Sequence, residues 1–583
     1  MAESTYPSPD RPVLTPLRRL IRMLSNEKKD IYYIYLYAIV AGLISLTLPI
    51  GIQAIINLIS GGMVFSSVYV LVGLVIVGVL VGGVLQIVQV SLVEVLQQRV
   101  FAKAAFEFTY RIPHIRTEAL AGYYPPELMN RFFDILSVQK ALPKLLIDIT
   151  AAGLQILFGI ILLSFYHPYF IIFGILTLAL IFLLIRWLGP KGLSTSLYES
   201  KYKYKVAQWL EDIARTFRSF KLAGDSPLPI RKMDGLVENY LTYRRKHFGV
   251  LMQFFGNAVA FKTLITAGLL IMGTVLVVNR EITLGQFVAA ELIIVLIVGS
   301  VEKLIQSIDV VFDLLTAVEK LGTVTDLKLE EEKGIRLTKQ GADRDDGLGI
   351  TSAVEKPDSL AIRLVDLSFR YSTSDRYLFR NVNLEIQPRE SICLTGSGDS
   401  GKHTILNLLT GERSEYEGII TYNGFSLRDL NLGDIRQLIG KNSLHDAVFD
   451  GTILENITLN RDNVTPDDVR QVLDALNLTD VINRLPDGLQ TEVMPGNYRF
   501  PESLAVRMVL ARCVVNRPRL LLLTDTLSVL TKSEKMRVLS YLTDKSNPWS
   551  MIIVSNDPMV REACDRVLTI ENGTLKEIKP DHA

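Results

Sequence analysis

Nine consecutive residues, Gly396-Ser397-Gly398-Asp399-Ser400-Gly401-Lys402-His403-Thr404, combine residue types and spacing that could do chemistry. Apolar Ile392-Cys393-Leu394 leads into them, and helix-forming Ile405 to Leu409 follows. A strand, a glycine-rich turn and a helix N-terminus in that order aim several backbone N–H groups at one place, where a lysine can reach the outer phosphates of a nucleotide. The stretch from Gly396 to Gly401-Lys402 has the full spacing of such a loop. The next residue departs from it: His403 stands where a Ser or Thr hydroxyl would hold Mg2+, and Asp399 adds negative charge beside the phosphates. A glycine-rich turn of this kind could also serve as a plain helix cap.

The elements that must hold this loop belong to a C-terminal α/β region. Strand-like Leu360 to Tyr371 and Leu378 to Ile386 precede it, and apolar Leu520 to Leu523 and Met551 to Val554 follow, separated by polar turns. Residues up to Leu321 differ, because they hold long uncharged runs. A hydrocarbon core needs about 20 apolar residues per helix. Six segments reach that length, near 31–59, 64–95, 141–166, 168–188, 248–279 and 283–316, and several are long enough to project beyond a bilayer.

Lys and Arg are scarce in the turns near Ser60 to Ser67, Tyr166 to Pro168 and Asn279 to Thr283, but abundant in the N-terminal tail and in Arg99 to Lys144 and Arg186 to Lys246. That asymmetry places both termini and the α/β region in the cytoplasm. Helical periodicity in the basic segments, as in Trp209, Leu210, Ile213, Phe217 and Phe220, predicts extensions of the membrane helices. Short transverse helices near Gly122 to Phe132 and Glu211 to Phe220 would carry contact to the α/β region. Glu291 is the ionisable residue placed deepest in a span, where it serves either a cargo path or a hydrogen bond between helices.

A chain of 583 residues is too long for one core. The divisions read as a tail and interfacial helix at 1–30, a six-helix domain at 31–321, a polar and acidic linker at 322–358, and the α/β domain at 359–583. A net charge of +1 argues against a dedicated nucleic-acid binder. Cys393, Cys513 and Cys564 lack metal-ligand spacing and read as ordinary thiols.

The order of spans, linker and phosphate loop, followed by Phe449-Asp450-Gly451-Thr452-Ile453-Leu454-Glu455-Asn456-Ile457 and Leu485-Pro486-Asp487-Gly488, resembles the ABC exporter family over essentially the whole chain. The Arg-rich N-terminal helix and Ile282-Thr283-Leu284-Gly285-Gln286 are most similar to half-transporters of type I secretion and peptide export. The resemblance implies an α-helical six-span transmembrane domain of ABC exporter type fused to a cytosolic α/β P-loop nucleotide-binding domain. It further implies an inner-membrane location, pairing as a homodimer or with another half-transporter, and a periplasmic adaptor as a candidate partner. ATP is the implied ligand, with Tyr371 against adenine and Lys402 on the phosphates.

Several positions depart from the family pattern. Leu444 aligns with the glutamine that links metal, water and membrane domain, and Phe500-Pro501-Glu502-Ser503-Leu504 aligns with the signature sequence. There Pro501 removes a backbone donor, and Glu502 would face a partner's γ-phosphate with like charge. Thr524 aligns with the metal-binding Asp, Asp525 with the catalytic Glu, Thr531 with the Asp of the dimer loop and Asn556 with the switch histidine. Asp525 and Asn556 are thus the remaining catalytic candidates. No residue set is expected to hold a metal, Mg2+ is poorly served, ATP is held weakly and hydrolysis is impaired. Three readings follow: a transporter subunit for peptide, protein or lipophilic cargo with an impaired ATPase; a non-catalytic membrane scaffold or regulator; and an active ATPase in which Asp525 and His403 take over the missing roles.

Overall fold

The computed structural model describes residues 15–60, 66–331, 333–337, 339–340, 354–355, 357–371, 374–442, 448–494, 501–524 and 527–578. Two compact units divide the chain, one of Met1–Ile115 with Leu120–Lys328 and one of Arg116–Ala119 with Leu329–Ala583.

The first unit contains six apolar helices long enough to cross a membrane: α1 (Pro16–Ser60), α2 (Ser66–His114), α3 (Pro125–Ser164), α4 (Pro168–Arg215), α5 (Leu228–Val278) and α6 (Leu284–Thr325). Apolar runs in lipid must satisfy every backbone group internally, which a helix does. Each of the six is much longer than the apolar run that anticipates it. Helix α5 has 51 residues; at about 1.5 Å per residue it is roughly two and a half times the thickness of a hydrocarbon core. Breaks occur where the sequence supplies them, with a π turn at Lys144–Ile149 directly after Pro143 in α3. Thr283 opens α6 through a reciprocal capping box with Gln286. Gly285, one turn in, lies so close to α1 that a side chain there would collide with Asn57 and the Gln53 carbonyl.

Polar pairs tie these helices together. Lys262 Nζ donates to Glu302 Oε1 at 2.8 Å, and Ser300 Oγ to Gln155 Oε1 at 2.8 Å. Glu291 occupies an exposed position on α6. Trp209 is buried, its indole N–H donating to the Pro229 carbonyl and Lys232 lying over its ring at 3.8 Å. Short helices form at Pro125–Asn130, inside the stretch Gly122 to Phe132 expected to turn across the bundle, and at Phe217–Leu222, overlapping the end of the stretch Glu211 to Phe220. The residues that cluster with the second unit come earlier, however, at Arg116–Ala119. Within that unit the Glu118 carboxylate accepts from Ser414 N at 2.7 Å and Ser414 Oγ at 3.2 Å.

The second unit is built on strands β1 (Ile362–Phe369), β2 (Phe379–Ile386), β3 (Ser391–Gly396), β4 (Glu417–Tyr422), β5 (Phe425–Ser426), β6 (Ile439–Lys441), β7 (Leu520–Leu523), β8 (Ser550–Val554), β9 (Arg566–Glu571) and β10 (Thr574–Ile578). Strands β2-β1-β4-β5 form an antiparallel sheet, and β10-β9-β3-β8-β7-β6 form a sheet that is parallel except at the β9–β10 hairpin. Helices α7 (Lys402–Leu409), α8 (Ile453–Thr458), α9 (Glu502–Val514) and α10 (Lys532–Leu542) accompany them.

Strand β7 is four leucines, all buried, because a parallel strand covered on both faces needs apolar side chains on each. Alternation sends Leu520 and Leu522 into one core with Ile392 and Ile552, and Leu521 and Leu523 into another with Cys393 and Ile553. Pairing of Leu394 with Val554 brings the turn after β3 and the turn after β8 to one edge. Pairing of Leu522 with Lys441 sets the residues after β7 beside those after β6. All four turns therefore open at the carboxyl ends of parallel strands, the usual ligand position in such sheets.

Candidate functional site

The glycine-rich turn runs from the end of β3 into α7. Gly396 and Gly401 have φ of 142° and 94°, the left-handed region that glycine tolerates. A Cβ on Gly401 would also meet Leu378 at 2.9 Å, so the turn is closely seated as well as conformationally demanding. Ser397, Gly398 and Asp399 are exposed at its tip. Lys402, only 6% exposed, folds along the turn. Its Nζ donates to the Gly396 carbonyl at 2.9 Å, to the Ser397 carbonyl and to Ser400 Oγ at 3.2 Å. Burial lowers the lysine's pKa, while Asp399 raises it.

Tyr371 stands across from α7, its hydroxyl 3.0 Å from Thr404 Oγ1 and its ring under the Arg413 guanidinium at 5.0 Å. Tyr371, Arg376, Arg380, Ser397, Asp399 and Ser400 are among the walls of a cavity of about 700 Å³, a volume suited to a nucleotide. Of the sequence-predicted binding residues, the structure lines this space with Tyr371, Ser397, Asp399 and Ser400. It adds Arg376, between the first two strands, and Arg380, in β2, neither carrying a motif of its own. Asn556 meets the turn as well: Gly396 N donates to its Oδ1 at 3.4 Å, and its Nδ2 to the Gly396 carbonyl at 3.5 Å. Asp525 and Leu444 lie outside the described residues.

At the metal positions the donor set is poor. Thr524 is buried, and its backbone N–H donates to Asn442 Oδ1 at 2.7 Å, with Thr524 Oγ1 at 3.5 Å from the same oxygen. Asn442 is itself fully buried and donates its own N–H to the Leu522 carbonyl. The two residues thus form a neutral contact across the ends of β6 and β7. Nearby Lys441 Nζ is held by Asn407 Oδ1 at 2.8 Å and Glu412 Oε1 at 2.7 Å. Among the described residues no cluster of three His, Cys, Asp or Glu side chains could hold a metal. These residues do not fit Mg2+, which prefers several hard oxygen ligands with carboxylate charge.

His403 has its pKa lowered by burial first, then by the charges of Lys402 and Lys441. The folded imidazole therefore resists a proton that the unfolded chain accepts below the ordinary value of 6.5. Stability should be unaffected by this group above that pH and fall as pH drops through it, and His403→Gln should remove this component. Denaturation of the purified chain at neutral and mildly acidic pH would show the difference between the two proteins.

The signature and dimer-loop positions have structural occupations. Pro501 is the N-cap of α9 and Glu502 its first-turn acid, placed to complement the helix dipole. Thr531 caps α10 through a capping box with Glu534. Arg507, buried on α9, pairs with Glu534 and donates to the Asn477 carbonyl at 3.0 Å.

Residues 31–301 match the family described as the ABC transporter transmembrane region, and residues 379–528 that described as ABC transporter. The chain is similar to a putative export ATP-binding/permease protein of Rickettsia bellii, at 23% identity over 73% of this chain and 72% of that one. It is similar also to a putative multidrug export ATP-binding/permease protein of Staphylococcus aureus, at 27% identity over 37% of each. Among solved structures, a bacterial Atm1-family ABC exporter with ATP bound superposes with a TM-score of 0.80 over 95% of both chains at 16% identity, a likeness of fold. Carrying the transmembrane region and the nucleotide-binding domain of ABC transporters in this order, the chain belongs to the ABC transporter family.

Proposed function

We propose that this half-transporter binds ATP weakly at its own phosphate loop and hydrolyses it little or not at all, so that binding rather than turnover biases its conformational states. The Thr524–Asn442 contact carries the reading, because a neutral hydrogen-bonded pair stands at the position of the family's metal-binding carboxylate. His403 in place of a hydroxyl and Glu502 at the signature helix support it from two further directions. Phosphoryl transfer works by positioning and electrostatic stabilisation, and removal of one stabilising donor slows a reaction by roughly a hundred- to a thousand-fold.

The cargo we propose is peptide, protein or lipophilic, on the resemblance of the N-terminal helix and of Ile282 to Gln286 to type I secretion and peptide-export transporters. Two half-transporters pair, as the same or different chains, in an inner membrane with both termini in the cytoplasm, an orientation supported by the distribution of Lys and Arg. The domain limits near residues 30, 321 and 358 are part of the same proposal.

Mg-ATP turnover by the full chain in lipid nanodiscs, beside Lys402→Ala, tests the reading. Both proteins should remain at the empty-nanodisc background. Turnover that disappears in the Lys402 variant would overturn the proposal and make Asp525 the catalytic carboxylate.

A further inference from the structure

The mismatch between these residues and Mg2+ says what form of nucleotide the site takes. An ATP anion entering a family-type site brings a divalent cation that offsets phosphate charge and needs oxygen ligands from the protein. Here Thr524 and Asn442 face each other, buried and paired, and His403 is an imidazole between the charges of Lys402 and Lys441. A cation placed there would meet the Lys402 ammonium in a partly desolvated setting, Lys441 being paired with Glu412. The anionic ligand, in contrast, is well matched. Arg376 and Arg380 line the cavity beside the phosphate loop, and Lys402 lies on the loop itself. Asp399 is the one opposing charge on the loop, and it too reaches the cavity. Guanidinium groups make charge-assisted hydrogen bonds to phosphate and can supply the positive charge that a metal otherwise brings.

We propose that the site binds a nucleoside polyphosphate as the metal-free anion, with Lys402, Arg376 and Arg380 in place of Mg2+ as its counter-charge. The inference rests on the nucleotide-binding reading above and deepens it. It also gives the missing hydrolysis a cause beyond absent catalytic groups: a bound nucleotide without a metal lacks the ion that neutralises charge developing during transfer.

Binding of radiolabelled ATP to the full chain in nanodiscs, measured once with EDTA and once with excess Mg2+, decides the matter without any variant. Affinity in EDTA should equal or exceed that in Mg2+. A loss of about tenfold or more on chelation, roughly 1.4 kcal/mol, would overturn metal-free binding and leave nucleotide binding standing. Absence of binding under both conditions would overturn the two together. As a gain-of-function arm, the double variant His403→Ser, Thr524→Asp should acquire sensitivity to EDTA. Arg376→Ala with Arg380→Ala should weaken binding in EDTA more than in Mg2+, a selectivity that general loss of structure would not produce.

Discussion

Lys402→Ala should reduce ATP affinity by about a hundredfold or more while leaving the melting temperature of the nucleotide-binding unit nearly unchanged. The affinity estimate follows from charge-assisted hydrogen bonds at roughly 1.5–3 kcal/mol each, two of which the ammonium can make to phosphate oxygens. The small effect on folding follows from opposing terms. Truncation removes the bonds to Gly396 O, Ser397 O and Ser400 Oγ, but it also relieves the burial of an ammonium group whose pKa the fold already depresses. Equilibrium binding and thermal unfolding on the same preparation separate the two quantities. Unchanged affinity in the variant would mean that nucleotide, if bound, lies away from this loop.

The largest loss of stability should come from a residue without catalytic chemistry. Asn442→Leu is expected to destabilise the second unit by about 2–4 kcal/mol, because it leaves the buried Thr524 N–H without its acceptor and forces a branched side chain into a filled site. For a unit of this size that corresponds to a fall of about 5–15 °C. Thr524→Val, by comparison, keeps the backbone bond to Asn442 and gives up the long 3.5 Å hydroxyl contact, so it should cost less, about 1 kcal/mol. Melting curves of the two variants side by side would show whether Asn442 holds the β6–β7 edge. Equal effects would mean that the side-chain hydroxyl matters as much as the main chain.

Much of this architecture was legible because it follows from solvent. Long uncharged runs have one stable form in lipid, and the alternation of short apolar runs with turns gave β3, β7 and β8 near their observed limits. The ends of the membrane helices were less legible. Beyond the hydrocarbon, the helical state of residues such as Tyr198 to Trp209 was readable from their periodicity, but where each extension stops was not; Trp209 packs there with Pro229 and Lys232 of α5. The segment that joins the second unit was expected at Gly122 to Phe132, where apolar residues concentrate. Glu118, in the segment Arg116–Ala119 that clusters with the second unit, is held there by hydrogen bonds to a serine that no apolar pattern announces. At the site, glycine spacing gave the loop because backbone geometry restricts residue choice there. Arg376, Arg380 and Asn442 were not legible, since each acts through a neighbour distant in sequence: the two arginines through the loop at Ser397 to Ser400, and Asn442 through Thr524.

The way Lys402 lies on its own loop has a kinetic consequence. Its ammonium is already coordinated by three oxygens of the turn, so an arriving phosphate does not fill an idle charge but replaces partners one by one. Capture is thus a ligand exchange at nitrogen, in which part of the attraction to the anion is offset by bonds given up within the turn. Release follows the same path, with the carbonyls of Gly396 and Ser397 reclaiming the lysine.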